Sequence, residues 1–160
     1  MNVQELFAEV ATAPVVKRAI TNHEALNEAY DYGSAFSRGM RIDLNGLTIL
    51  LISGTASIDE AGRTVHVGDL RAQLRRTFEN ITNLLAAEGA TWHDIVRTTC
   101  YLRDIERDYQ AFNEERTAFY EEQQLDPLPA STGIQAILCR PDLLIEIEAI
   151  AMFRREVPTE

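Results

Sequence analysis

The sequence predicts an α+β fold, a single sheet covered on one face by two helices. Three observations predict it. The elements run in the order ββ-α-β-α-ββ, with helices interspersed among strands. Leu70, Leu74, Phe78, Ile81, Leu84 and Leu85 recur at helical spacing. The last strand alternates: Leu143, Ile145, Ile147, Ala149, Ala151 and Phe153 point one way, and Leu144, Glu146, Glu148, Ile150 and Met152 the other.

Residues 1–32 read as a helical N-terminal extension, and residues 33–155 as the main domain. Val3, Leu6, Phe7 and Val10 have helical spacing and stop before Pro14. Asn22 to Tyr30 suits a second short helix. Ala35 to Asn45 and Leu47 to Ser53 form a hairpin, because Asn45-Gly46 is a favoured pair where both turn residues need positive φ. A long glycine-punctuated loop follows, through Gly54, Gly62 and Gly68. The first main helix spans Leu70 to Glu88, with Asp69 as N-cap and Gly89 just past its end. Ile95 to Arg103 is β-branched and aromatic, hence a strand. Tyr109 to Gln123 is the second helix, with Asp108 as N-cap. Ser131 to Arg140 and Leu143 to Phe153 are the last two strands, joined by a tight Pro141-Asp142 turn.

The chain has 160 residues, 46% hydrophobic and 25% charged, which suits one soluble domain with a proper core. Its formal net charge of -10 argues against a nucleic-acid surface or an anionic membrane, since both need clustered cations. No apolar run approaches the roughly 20 residues of a spanning helix. The N-terminus lacks the basic and apolar regions of a secretory signal. Cys100 and Cys139 form no close pair, and reduced thiols in a cytoplasmic protein are the simplest account. His23, His66 and His93 are scattered without metal-ligand spacing, so no metal is expected. No nucleotide-binding or serine-hydrolase motif is present, so no cofactor is expected.

Glu146 and Glu148 are the most informative residues. Two carboxylates on one face of an apolar strand must be paired, half-solvated or protonated. The apolar neighbours Leu144, Ile150 and Met152 share that face, so a second copy of the chain is expected to cover it.

Several stretches together carry a family resemblance: Ser53-Gly54, AQLRRTFENITNLLAAEGA, DIVRTTCYL, AFNEERTAFYEE, Pro129-Ala130 and IEIEAIA. Over roughly Phe36 to Phe153 the chain resembles the RidA/YjgF family of enamine/imine deaminases. The resemblance implies a chorismate-mutase-like mixed sheet, three subunits packed into a barrel, and ligand clefts between subunits. It implies cofactor-free hydrolysis of reactive enamines or imines left by pyridoxal-phosphate enzymes, with a small carboxylate substrate. The family's water-positioning glutamate falls on Glu146, its backbone-contributing serine-glycine on Ser53 and Gly54 with Thr55 following, and its helix asparagine on Asn113. Two positions depart. The carboxylate-clamping arginine is replaced by Ser131, and the first-strand tyrosine by Phe36. A neutral hydroxyl does not replace a bidentate guanidinium, which puts the family's usual substrates in doubt.

FSRG, SGTASI, HVGD, PASTGI and CRPDLLIEIE also resemble the carboxyl-terminal half of chorismatases, which remove pyruvate from chorismate. There the glutamate matching Glu146 donates a proton, and a cysteine can stand at the position of Cys139. Those enzymes are about twice as long, so the resemblance covers one module.

Each candidate has a structural alternative. Glu146 is either a proton-transfer group with a raised pKa or half of an ion pair. Ser131, Thr132 and Gly133 either form a neutral anion pocket or lead into a strand. Strand parity places Cys139 on the face of Ser131 and Arg140 on the opposite one. Cys139 is then a nucleophile in the cleft or a buried strand cysteine. Arg38 is the candidate cation for a carboxylate. Asn113 bonds ligand or simply lies on the helix surface.

Overall fold

The computed structural model describes residues 14–22, 24, 26 and 33–154. Its strands are β1 (Val16–Ala19), β2 (Gly39–Leu44), β3 (Leu47–Ala56), β4 (Ile95–Leu102), β5 (Ala130–Gln135) and β6 (Ile145–Arg154); its long helices are α1 (Leu70–Ala87) and α2 (Ile105–Glu122). The strands form one six-stranded sheet in the order β1-β2-β3-β6-β4-β5. Among the described residues, only β4 and β5 run parallel, so the sheet is mixed.

The predicted hairpin is β2 and β3. Asn45 and Gly46 both have positive φ, 47° and 74°, as a two-residue turn of this twist requires. β1 lies within the segment expected to be a helical extension. VKRA carries a β-branched start and pairs antiparallel with the free edge of β2. The helix expected over Val3 to Val10 lies outside the described residues, as does most of that over Asn22 to Tyr30.

α1 begins where Asp69 accepts a hydrogen bond from the Ala72 amide, 3.0 Å, and ends where Gly89, at φ 70°, reverses the chain. α2 starts one turn before the expected Tyr109. Its cap is Asp104, which accepts from the Arg107 amide at 3.0 Å. Asp108, expected as the cap, is inside the first turn, buried and paired with Arg107. Ile105 and Phe112, seven residues apart, extend the apolar stripe into that earlier turn.

Both helices cover the face of β6 that carries Ile145, Ile147, Ala149 and Ala151, all buried. Phe78 of α1 stacks on Phe119 of α2 at 4.3 Å between centroids, and Trp92 meets both rings edge-on. Trp92 Nε1 donates to Thr82 Oγ1 at 2.8 Å, so its one polar atom is satisfied.

One expected pairing is wrong. β5 and β6 are not a hairpin. β6 is central, between β3 and β4, and β5 is the outer strand beyond β4. β5 also ends at Gln135, so residues 136–144 are a loop and strand parity does not reach Cys139 or Arg140. The loop is pinned from below. Gln73 of α1, fully buried, donates to Asp142 O at 2.8 Å and accepts from the Leu144 amide at 2.8 Å. Arg103 donates to the carbonyls of Leu143 and Arg140.

The face of the sheet away from the helices is open. Leu51, Met152 and Ile134 are 41%, 42% and 43% exposed on it. Among the described residues, no helix is long and apolar enough to cross a membrane.

Candidate functional site

The site forms where β3 breaks register against β6. Ile52 pairs with Ala149 and Thr55 with Ile147, so Ser53 and Gly54 together oppose the single residue Glu148. This bulge turns the main chain under the neighbouring Glu146. A Cβ on Gly54 would stand 1.9 Å from Glu146 Oε1, so the carboxylate occupies space that only glycine leaves open. Ser53 Oγ donates to Ser37 O at 2.7 Å, and the Ser53 amide donates to Arg38 O at 3.1 Å. The bulge is thereby tied to the chain entering β2.

Glu146 projects from the open face into a cleft of about 410 Å³. Phe36, Arg38, Gly54, Ile58, Cys139 and Arg140 are among its walls. Burial pushes the Glu146 carboxyl above the usual glutamate range, and the nearby charge of Glu148 pushes it the same way. Both causes favour the protonated acid.

Tyr101 was not foreseen. It lies opposite Glu146 in register on β4. Burial, a hydrogen bond with Glu148 and the charges of both glutamates raise its phenol pKa. Only the pairing of β4 with β6 brings it there, and that pairing has no local sequence signal.

Arg38 is buried and its guanidinium lies over the Phe36 ring at 5.5 Å. Arg140 lines the same cleft, with Nη1 donating to Gly62 O at 2.7 Å. Cys139 and Arg140 therefore face one cleft together, against the parity expectation, because the loop after β5 frees them from strand geometry. The Cys139 residue is exposed, so a buried strand cysteine is ruled out at this position. Thr55 is buried on the helix side and donates to Ser53 O, so it braces the bulge and does not line the cleft.

The remaining candidates lie elsewhere. Ser131 and Thr132 sit on β5 and point to opposite faces. Ser131 Oγ accepts from Arg116 Nη1 at 3.0 Å and Thr98 Oγ1 at 3.1 Å; Thr132 Oγ1 accepts from Arg97 Nη2 at 3.0 Å. They and Gly133 form no common anion pocket within the chain. Asn113 Oδ1 accepts from Arg116 Nη2 at 2.7 Å, which places it with Ser131 and away from Glu146. Among the described residues, no three His, Cys, Asp or Glu side chains gather as metal ligands.

The family model described as Endoribonuclease L-PSP matches residues 24–153. The chain belongs to this family, which is the RidA/YjgF family. A member from Acinetobacter baylyi, the 3-aminoacrylate deaminase RutC, is 36% identical over 103 residues, covering 64% of this chain and 78% of the relative. A RutC family protein of Pyrococcus horikoshii is 34% identical over 102 residues, covering 64% and 77%. The crystal structure of Escherichia coli YjgF superposes with a TM-score of 0.70 at 28% identity, covering 86% of this chain and 99% of that one. Escherichia coli TdcF, solved with bound serine, gives 0.69 at 26% identity, covering 87% and 99%. The RidA/YjgF fold thus accounts for the mixed sheet with two helices on one face.

Proposed function

We propose that the chain is a cofactor-independent hydrolase of enamine or imine intermediates that carry a carboxylate, acting as a homotrimer with Glu146 as its proton-transfer residue. One observation carries this reading. The Glu146 carboxyl is held protonation-prone over a glycine, in a cleft that Arg38 and Arg140 also line. RutC, a deaminase of 3-aminoacrylate, supports the same class of chemistry.

The steps balance without a cofactor. The Glu146 acid gives its proton to the terminal carbon of the enamine, which becomes an iminium ion. The resulting carboxylate takes a proton from a water that adds to the iminium carbon. The carbinolamine then expels ammonia and leaves a ketone. The main chain at Ser53 and Gly54 orients the water, and Arg38 meets the substrate carboxylate in place of an arginine at position 131. The open apolar face with Leu51, Ile134 and Met152 supports assembly, because a monomer would leave it in water.

Freshly generated 2-aminoacrylate, followed by ammonia and pyruvate release, tests the reading. Wild type turns it over and Glu146→Gln does not, while both keep the same oligomeric mass. Full activity in Glu146→Gln overturns the assignment.

A second reading has one observation in its favour. Cys139 and Arg140, from the segment that resembles chorismatases, line the Glu146 cleft. Pyruvate release from chorismate would select it. Carboxylate binding without turnover of either compound would select a non-catalytic metabolite-binding trimer.

A further inference from the structure

Tyr101 of β4 stands opposite Glu146 in register, on the open face of the sheet. Cross-strand partners on one face lie about 5 Å apart at Cβ, and the diagonal neighbour stays within reach of an aromatic side chain. Glu148, two residues along β6, is that diagonal neighbour. The Tyr101 ring is half-buried and packs on a small apolar cluster of Ala56, Leu138 and Leu143. Ala56 and Leu143 of this cluster also line the Glu146 cleft, whereas Tyr101 is not one of the cleft walls.

Packing fixes the ring, and the ring carries its hydroxyl to Glu148, with which it hydrogen-bonds. An ionised carboxylate only accepts, so the phenol is the donor. Glu148 is otherwise exposed, at the edge of a second hollow of about 310 Å³ that Phe36, Leu51 and Ser53 also line. A glutamate in such a place has many rotamers open to it, and the phenol selects one.

The charged and titratable groups around Glu146 come from several elements. β6 contributes Glu148 and β4 contributes Tyr101. The chain entering β2 contributes Arg38, and the loop after β5 contributes Cys139 and Arg140. β3 contributes Gly54, which does not titrate. Among these groups, Glu148 supplies a charge that favours the protonated Glu146 acid, after the larger effect of burial. A charge interaction weakens with distance, so a residue that fixes Glu148 also fixes its influence on Glu146.

We propose that Tyr101 is a positioning residue for the hydrolysis: its phenol holds the Glu148 carboxylate beside Glu146, so that the acid begins each cycle protonated. The proposal rests on the reading of Glu146 as the proton-transfer residue. Neither Tyr101 nor Glu148 exchanges a proton with the substrate. Glu146 gives its proton to the enamine carbon and regains one from water, and the other two set how firmly it is held between turnovers.

The full chain, labelled with carbon-13 glutamate, is titrated and the side-chain carboxyl signals are followed. The Glu146 signal is identified by its loss in Glu146→Gln. Tyr101→Phe keeps the ring and releases Glu148, so the Glu146 midpoint is expected to fall to lower pH. Glu148→Gln removes the charge at an exposed position and should lower the midpoint at least as far. In the double variant Tyr101→Phe should add nothing to Glu148→Gln, since the phenol acts through that carboxylate. With 2-aminoacrylate at alkaline pH, Tyr101→Phe should lower kcat about threefold or more and leave KM within about twofold. A Glu146 midpoint that stays or rises in Tyr101→Phe, or effects of the two substitutions that add in full, would overturn the proposal. The titration reads the carboxyl without turnover. A wild type that titrates as expected but hydrolyses nothing would therefore overturn the hydrolase reading and uphold the placement of Glu148 by Tyr101.

Discussion

Gly54 and Glu146 share one space: a Cβ on the glycine would fall 1.9 Å from the glutamate Oε1. The contact is with the functional end of the glutamate, so it cannot relax without moving the proton-transfer group. Gly54→Ala should therefore reduce turnover of 2-aminoacrylate by about a hundredfold or more, as expected when a reacting group is displaced by about an ångström. Steady-state kinetics with a matched thermal melt checks this; full activity would mean that the carboxylate position is irrelevant.

Glu146 also sets a pH dependence. Its folded pKa is raised above the unfolded value by burial, then by Glu148. The folded state thus holds this proton more tightly, and that contribution is complete below the ordinary glutamate pKa. It is lost as pH rises through the raised folded value. Glu146→Gln removes this loss. Its Tm advantage over wild type should be larger at pH 8 than at pH 4, and melts at the two pH values decide it.

Arg38→Ala should raise KM for a carboxylate substrate about tenfold while changing kcat less, because the cation acts in binding rather than in proton transfer. Unchanged affinity for a carboxylate ligand would move the cation elsewhere in the cleft.

Gln73→Ala should cost about 1–3 kcal/mol in urea denaturation, since it orphans the Asp142 carbonyl and the Leu144 amide. The loop that carries Cys139 and Arg140 should loosen first, seen as faster hydrogen exchange at residues 139–143.

Native alkylation should separate the two thiols. Cys139 is exposed in the cleft, whereas Cys100 is buried and burial raises its thiol pKa. Iodoacetamide followed by peptide mass spectrometry should label Cys139 and leave Cys100 intact until denaturant is added.

Much of this was legible in the chain itself. Asn45-Gly46 announced its hairpin, Asp69 and Gly89 bracketed α1, and the period of two along β6 sorted core from open face, because each signal is local. The order of strands was not legible. Pro141-Asp142 suggests a tight turn, but the choice between β5 beside β6 and β5 beyond β4 depends on long-range pairing. That error hid Tyr101 and misplaced Cys139, both of which take their position from which strand lies next to which. Glu146 was found because an acid on an apolar strand is conspicuous alone; the Arg116–Ser131 contact was not, because it joins a helix to an edge strand.

Glu88, at the end of α1 and nearly sealed from water, accepts hydrogen bonds from Arg18 of β1 and Arg41 of β2. Anyone shortening this chain from its amino end should stop before residue 16. A cut at residue 20 would strip one guanidinium from that carboxylate and bare the hydrogen-bonding flank of the six-residue β2, replacing a short four-residue edge with a longer one that invites unwanted strand addition.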